Sequence, residues 1–420
     1  MNQDVVEKFV FEHESDLLAA LKRIPVYQRI SFSDNHLDGN RFRELPLLNK
    51  QDVTQGFPFN FVGGRESEFS EKIEKGTWEI IESSGTSSDR IQIIRNANFR
   101  EIWSPRIREY HNVYANRDSV REALLTTLNC SRAQCNLGVA TYEERLFGER
   151  LVLNRSRTPA LWDDAECERM LAEIERFSPQ VLTAHPVYLS LIDQWCETKG
   201  IIPPKSDAVF MSYDYATRRS LARAGRWSRS GVFRSYGLTE AFTVAMDCEH
   251  GSLHAINEGC LVEILPYGNI PNVGEIVITS LRNDVMPLIR YRTGDLALID
   301  PAQAPCPCGR SGLVIQRLEG RISELTFDSD NQSVTAGSVD AAVSECDGVE
   351  FFQLEQRGDR SVALGVVVNE RFDERQRQAL SGILRRLYRQ SNVNVTTLPE
   401  MSPTRTGKFK IITRSIGPSA

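Results

Sequence analysis

The segment between residues 180 and 235 admits few folds. Residues 180–184 (Q-V-L-T-A) read as a short buried strand, followed by a helical spacing over about 186–198. Residues 208–212 read as a second strand, 216–225 as a basic helix, and 232–235 as a third strand. Strands alternating with helices of this length imply a parallel sheet covered by helices. In open sheets of that kind, ligands sit beyond the carboxyl ends of the strands.

The texture changes on either side. Val5, Val6, Phe9, Val10, Leu17, Leu18 and Leu21 fall at helical spacing over 4–30. From about 260, C-L-V-E-I-L, G-E-I-V-I-T-S-L and D-L-A-L-I-D read as short strands joined by Pro/Gly turns. Beyond 320, F-F-Q-L-E-Q and S-V-A-L-G-V-V-V flank R-G-D-R, a hairpin signal. An amphipathic helix at about 372–390 and a strand, N-V-T-T-L, follow. The expected class is therefore α/β. It has a large N-terminal domain (1–319) with parallel sheets and a β-rich subdomain, and a small α+β domain (320–420).

A chain of 420 residues is long enough for two or three domains. Its net charge of −6 argues against nucleic acid as the main partner. No stretch approaches about 18 consecutive apolar residues, so no membrane span is expected. The start, M-N-Q-D-V-V-E-K, lacks a signal-peptide pattern. A cytoplasmic location is expected, and the nine cysteines are expected to be thiols or metal ligands rather than disulfides.

Short polar motifs punctuate this framework. S-S-G-T-S-S at 83–88 lies between the apolar runs W-E-I-I-E and R-I-Q-I-I-R. A Gly/Ser/Thr loop there offers backbone N–H groups and hydroxyls to phosphate oxygens. S-Y-G-L-T-E at 235–240 follows the third strand of the parallel rhythm. Its Tyr236 can stack on a base, Thr239 can donate to a phosphate, and Glu240 can hold Mg2+. In Y-R-T-G-D at 291–295, Asp295 sits where a tight turn before a strand is expected, and its carboxylate can accept two ribose hydroxyls. P-T-R-T-G-K at 403–408 displays Lys408 as a mobile point charge for developing negative charge. Taken singly, each motif also suits an ordinary turn.

In this order and at these separations, over about 76–410, the motifs resemble the adenylate-forming superfamily of acyl and aryl acid ligases. The shorter phenylacetate–CoA ligase branch is the nearer likeness. The resemblance implies that Ser83, Ser84, Gly85, Thr86 and Ser87 grip the ATP triphosphate. Tyr236 and Gly237 would pack on adenine, Thr239 would meet the α-phosphate, and Asp295 would bind the ribose. Arg321, in E-G-R-I-S-E, would lie at a hinge and also reach the ribose. Lys408 would be the catalytic lysine of a mobile C-terminal domain. His185, Tyr188, Tyr213, Tyr215 and Phe242 are placed near the acyl substrate, and their aromatic bias points to an aryl or arylacetic acid. The implied reaction makes an acyl-AMP from a carboxylic acid and ATP, then passes the acyl group to a thiol such as CoA. Transfer to a carrier-protein thiol, a protein cysteine or an amine, in a natural-product pathway, is the enzymatic alternative. A catalytically silent AMP-binding protein is the other, and the presence of both Glu240 and Lys408 argues against it.

Two departures from the family pattern stand out. Ser88-Asp89-Arg90 replaces a second glycine, with Arg90 available as a phosphate cation, and Ser323 replaces a hinge aspartate. Independently of ATP, Cys248 and His254 in D-C-E-H-G-S-L-H, with Cys306 and Cys308 in C-P-C-G-R, make a candidate tetrahedral Zn2+ site of structural type. His250 is an alternative ligand. Cys130, Cys135, Cys167, Cys196, Cys260 and Cys346 read as packing residues.

Overall fold

The structure is a computed structural model. It describes all residues except 1–2, 30–31, 33, 84–89, 116, 118, 127–139, 156–158, 160–161, 391, 402–408 and 416–420. The alternating segment folds as its spacing predicts. Strand Val181–Ala184 leads into helix Pro186–Lys199, strand Ala208–Met211 into helix Arg218–Ala224, and strand Val232–Leu238 closes the series. Pro186 opens its helix at a position that needs no N–H, and Gly200 ends it in the left-handed conformation. Thr217 caps the next helix by accepting from the Ser220 N–H.

These strands form the centre of a nine-stranded mixed sheet. Val232–Leu238, Ala208–Met211, Val181–Ala184, Glu122–Leu125 and Arg150–Val152 run parallel in that order. Phe242–Asp247 then pairs antiparallel with Val232–Leu238, and Leu253–Ala255 continues outward. The third strand therefore extends three residues beyond the expected 232–235. The S-Y-G-L-T-E motif turns a β-hairpin rather than entering a helix.

A second, antiparallel sheet is ordered Cys260–Pro266, Val273–Ser280, Leu288–Leu298 and Arg317–Arg321. N-terminal helix Gln3–Arg23 buries Val6, Phe9, Leu17 and Leu21 in one core with Ile276, Ile278 and Tyr291 of this sheet. Tyr27 ties the layers by donating to the Pro287 carbonyl and accepting from the Ile289 N–H, both at 2.9 Å.

Residues beyond Arg321 build a separate four-stranded sheet, ordered Val393–Thr397, Val362–Val368, Val349–Gln356 and Ile412–Arg414. Its helix Glu374–Tyr388 buries Leu380, Leu384 and Tyr388, spaced four apart on one stripe. The expected hairpin at R-G-D-R joins Val349–Gln356 to Val362–Val368.

Candidate nucleotide and metal sites

Y-R-T-G-D does not form a turn before a strand. It lies inside the continuous strand Leu288–Leu298, where the register against Val273–Ser280 slips between Val277↔Arg292 and Glu275↔Leu296. Residues 293–295 therefore bulge opposite Ile276. Gly294 takes φ +76°, a left-handed value that suits glycine. The Thr293 hydroxyl donates to the Ile276 carbonyl at 2.7 Å and accepts from the Asp295 N–H at 3.0 Å. The bulge thus re-aims Asp295, a geometry that a strand pattern does not reveal.

Asp295 is the hub of the candidate nucleotide site. Tyr236 donates its hydroxyl to Asp295 Oδ2 at 2.7 Å. Arg321, its register partner on the neighbouring strand, places Nε 3.3 Å from Oδ1. Burial and the neighbouring Asp295 carboxylate push the Tyr236 hydroxyl well above the usual tyrosine range, so it stays a donor. Next to this pair, Tyr291 Oη lies 3.3 Å from Glu240 Oε1. Burial, with Asp295 nearby, raises the Glu240 carboxyl above its usual value. The hairpin that carries Tyr236, Thr239 and Glu240 is tight. A Cβ on Gly237 would meet the Phe242 carbonyl oxygen at 3.1 Å.

The Ser/Thr loop is set on strands Trp78–Glu82 and Gln92–Asn96, whose antiparallel register pairs Glu82 with Gln92. Ser83 closes this hairpin. Its N–H donates to the Ile91 carbonyl, and its hydroxyl accepts from the Ile91 N–H at 2.9 Å. Ser84, Gly85, Thr86, Ser87 and Lys408 lie outside the described residues. Arg90 places Nη1 3.4 Å from Glu82 in an exposed pair.

The proposed acyl-pocket residues are not gathered in one place. His185 and Tyr188 have no exposed surface and stack with ring centroids 4.3 Å apart. Phe409 of the C-terminal region meets Tyr188 edge-on at 6.3 Å. Phe242 instead packs edge-on against Phe99 at 6.2 Å, beneath the Arg100 guanidinium. Tyr213 adopts φ +76° in the loop after Ala208–Met211.

Sequence reasoning missed Asp214 in that loop. Its Oδ2 lies 3.5 Å from His185 Nε2 and accepts from the Phe409 N–H at 3.4 Å, while Oδ1 accepts from the Tyr215 N–H. Glu324 was also missed. It accepts from the Arg321 N–H, and burial raises its carboxyl. Tyr291 stood in a quoted motif, but nothing in the sequence linked it to Glu240.

The Cys/His cluster assembles. The ligand atoms of Cys248, His254, Cys306 and Cys308 all lie within 4.8 Å of one another. Cys248 Sγ is 3.7 Å from Cys306 Sγ, and Cys308 Sγ is 3.3 Å from His254 Nε2. Tetrahedral zinc with Zn–S bonds of about 2.3 Å has S···S edges of about 3.75 Å, so the donor set fits that ion. His250 is not part of the cluster; its N–H points at Cys248 Sγ, 3.4 Å away. Hairpin pairing of Leu253–Ala255 with Phe242–Asp247 brings His254 and Cys248 to the same end.

No family model matches the chain. Solved structures share its fold. A 2-hydroxyisobutyryl-CoA ligase in its postadenylation state superposes with a TM-score of 0.70 at 15% identity, covering 98% of this chain and 88% of that one. The same enzyme in its thioesterification state gives 0.56, covering 99% and 89%. The fold is thus that of the adenylate-forming ligases, as the motifs implied. Within that class the sequence likeness is to phenylacetate–coenzyme A ligases. The Thermus thermophilus enzyme is 24% identical over 337 residues, 72% of this chain and 67% of that protein. The Pseudomonas putida enzyme is 27% identical over 346 residues, 76% and 69% respectively. Among the described residues, no helix is long and apolar enough to cross a membrane.

Proposed function

We propose that this protein activates a carboxylic acid with ATP and transfers the acyl group to CoA. The observation that carries this reading is the Tyr236–Asp295–Arg321 cluster beside Glu240, placed where strand Val232–Leu238 ends. This is the carboxyl end of a parallel strand, where open sheets bind ligands. Asp295, held from two sides, presents its remaining lone pairs to the ribose hydroxyls. Thr239 donates to the α-phosphate. The half-buried Glu240 is the residue that would hold Mg2+, and the ion would supply charge neutralisation for the phosphates.

In the first step a carboxylate oxygen of the acid bonds to the α-phosphorus, and the bond to pyrophosphate breaks. Like-charge repulsion is the main barrier, and Lys408 offsets it. Phe409, the residue after Lys408 in sequence, donates its N–H to Asp214 of the N-terminal domain at 3.4 Å. In the second step the CoA sulfur attacks the acyl carbon, AMP leaves, and the thiol proton passes to solvent. The sequence likeness to phenylacetate–coenzyme A ligases supports an aromatic acid. Cys248, His254, Cys306 and Cys308 would hold a structural zinc ion, since these ligands leave no open position.

Pyrophosphate exchange with a panel of aryl and alkyl acids tests this reading. Exchange with at least one acid, abolished in Lys408→Ala, is expected. No exchange with any acid, with AMP binding unchanged in Lys408→Ala, would sink it.

A further inference from the structure

Helix Arg218–Ala224 of the N-terminal domain lies against strand Val349–Gln356 of the C-terminal sheet, and one carboxylate joins them. Glu350, with its side chain 3% exposed, takes a two-pronged contact from Arg219: Nη2 to Oε1 at 2.6 Å and Nε to Oε2 at 3.0 Å. Arg223 adds Nε to Oε2 at 2.7 Å. Burial pushes this acid upward, but the hydrogen bonds and charges of Arg219 and Arg223 outweigh it and hold the carboxyl down at about 2. The packed arrangement therefore favours the charged form, and the contact attracts rather than merely tolerates burial.

The partners on each side are also provided for when apart. Arg223 Nη1 contacts Asp193 at 2.6 Å and Glu197 at 2.8 Å, both on helix Pro186–Lys199 of its own domain. Glu350 accepts from the Asn369 amide of its own domain. A buried ion pair is costly to break when it strands a charge. Here separation leaves Arg223 with its own carboxylates and Glu350 with the Asn369 amide, while Arg219, 40% exposed, returns to solvent. The adjoining seam is lined by apolar side chains, with Tyr215 and Val187 on one side and Phe351, Phe352 and Met401 on the other.

We propose that Glu350 is a positioning residue for acyl-adenylate formation. By engaging Arg219 and Arg223 it holds the C-terminal sheet against helix Arg218–Ala224 in the arrangement used for acyl-adenylate formation, and it releases for transfer to the thiol. This inference rests on the ligase reading above. The greater likeness to the postadenylation arrangement of 2-hydroxyisobutyryl-CoA ligase than to its thioesterification arrangement agrees with it.

The test compares wild type with Glu350→Gln as full chains. In hydrogen–deuterium exchange, amides of 217–224 and 349–356 should exchange about tenfold faster, while those of 181–199 stay unchanged. Pyrophosphate exchange should fall about tenfold, while transfer from supplied phenylacetyl adenylate to CoA should not fall. Unchanged deuterium exchange at both interface segments overturns the proposal. So does an equal fall in both half-reactions. Failure of Glu350→Gln to fold overturns it too, because a releasable contact cannot be what holds either domain together. If the wild type exchanges pyrophosphate with no acid, the ligase reading fails by itself. The deuterium measurement then still decides whether Glu350 joins the two domains.

Discussion

Replacing Tyr236 by phenylalanine removes one hydroxyl and leaves the ring in place. That hydroxyl lies 2.7 Å from Asp295 Oδ2, and burial with the adjacent carboxylate keeps it protonated. A hydrogen bond to a charged group contributes roughly 1.5–3 kcal/mol. Two features reduce the net loss. Arg321 still holds the other oxygen at 3.3 Å, and the substitution relieves the desolvation of a buried hydroxyl. A loss of about 1–2 kcal/mol remains, which is roughly a 5- to 30-fold weakening of nucleotide binding. Calorimetric titration with AMP reads this directly. Tyr236→Ala should weaken binding further, because it also removes the ring from the core. If Tyr236→Phe binds AMP within about twofold of wild type, Asp295 does not depend on that hydroxyl for its orientation, and the ribose assignment loses its structural support.

Further outcomes are expected elsewhere. Cys308→Ser should reduce bound zinc from about one ion per chain to a small fraction and lower the melting temperature; undiminished zinc by atomic absorption would refute the site. Asp340 faces Tyr215, Arg218 and Arg317 across the domain seam, and burial raises its carboxyl to about 6. The folded state therefore holds an extra proton between about pH 4 and 6, and stability from this group falls as pH rises through that window. The unfolding free energy of wild type minus that of Asp340→Asn should drop by about 2–3 kcal/mol from pH 4 to 7, measured by urea titration at each pH; a flat difference would refute it. Gly237→Val should weaken AMP binding with little change in zinc content, because its Cβ meets the Phe242 carbonyl in the hairpin that carries Thr239 and Glu240.

The parallel strands at 181–184, 208–211 and the first half of 232–238 were legible because each is a short apolar run bounded by helical spacing and turn residues; the continuation to Leu238 was not. Helix Pro186–Lys199 was legible from its proline start. Cys248, His254, Cys306 and Cys308 were legible as a candidate ligand set because three thiols and an imidazole suit one metal site; the structure gathers these four and leaves out the alternative, His250. Asp295 lies beside Tyr236 and Arg321, but in a bulge rather than in the turn its motif suggested. Its bulge depends on a register slip against Val273–Ser280, and register is a relation between strands rather than a property of one. The Glu350–Arg219–Arg223 contact spans well over a hundred residues of chain, and surface-type charges of this kind carry no sequence signal for their partner.

The charges around the nucleotide site bear on why the proposed reaction runs forward. Asp295, Glu240, Glu324 and Asp214 all belong to this neighbourhood, with Arg321 held between Asp295 and Glu324. Arg90, which the sequence offered as a phosphate cation, sits against Glu82 on the hairpin surface. Even with Lys50 near Glu240, carboxylates outnumber the cations around Asp295 among the described residues, and a triphosphate would bring several more negative charges. Under the proposed function such a site would favour nucleotide only with additional cations present, and Lys408 and Mg2+ would be those cations. If Glu350 releases as proposed and the domain that carries Lys408 in its sequence moves away, the balance would turn negative again. Pyrophosphate is then repelled more strongly than AMP, because it carries the greater charge. Opening the seam would thereby do two things at once: admit the thiol and oppose the return of pyrophosphate.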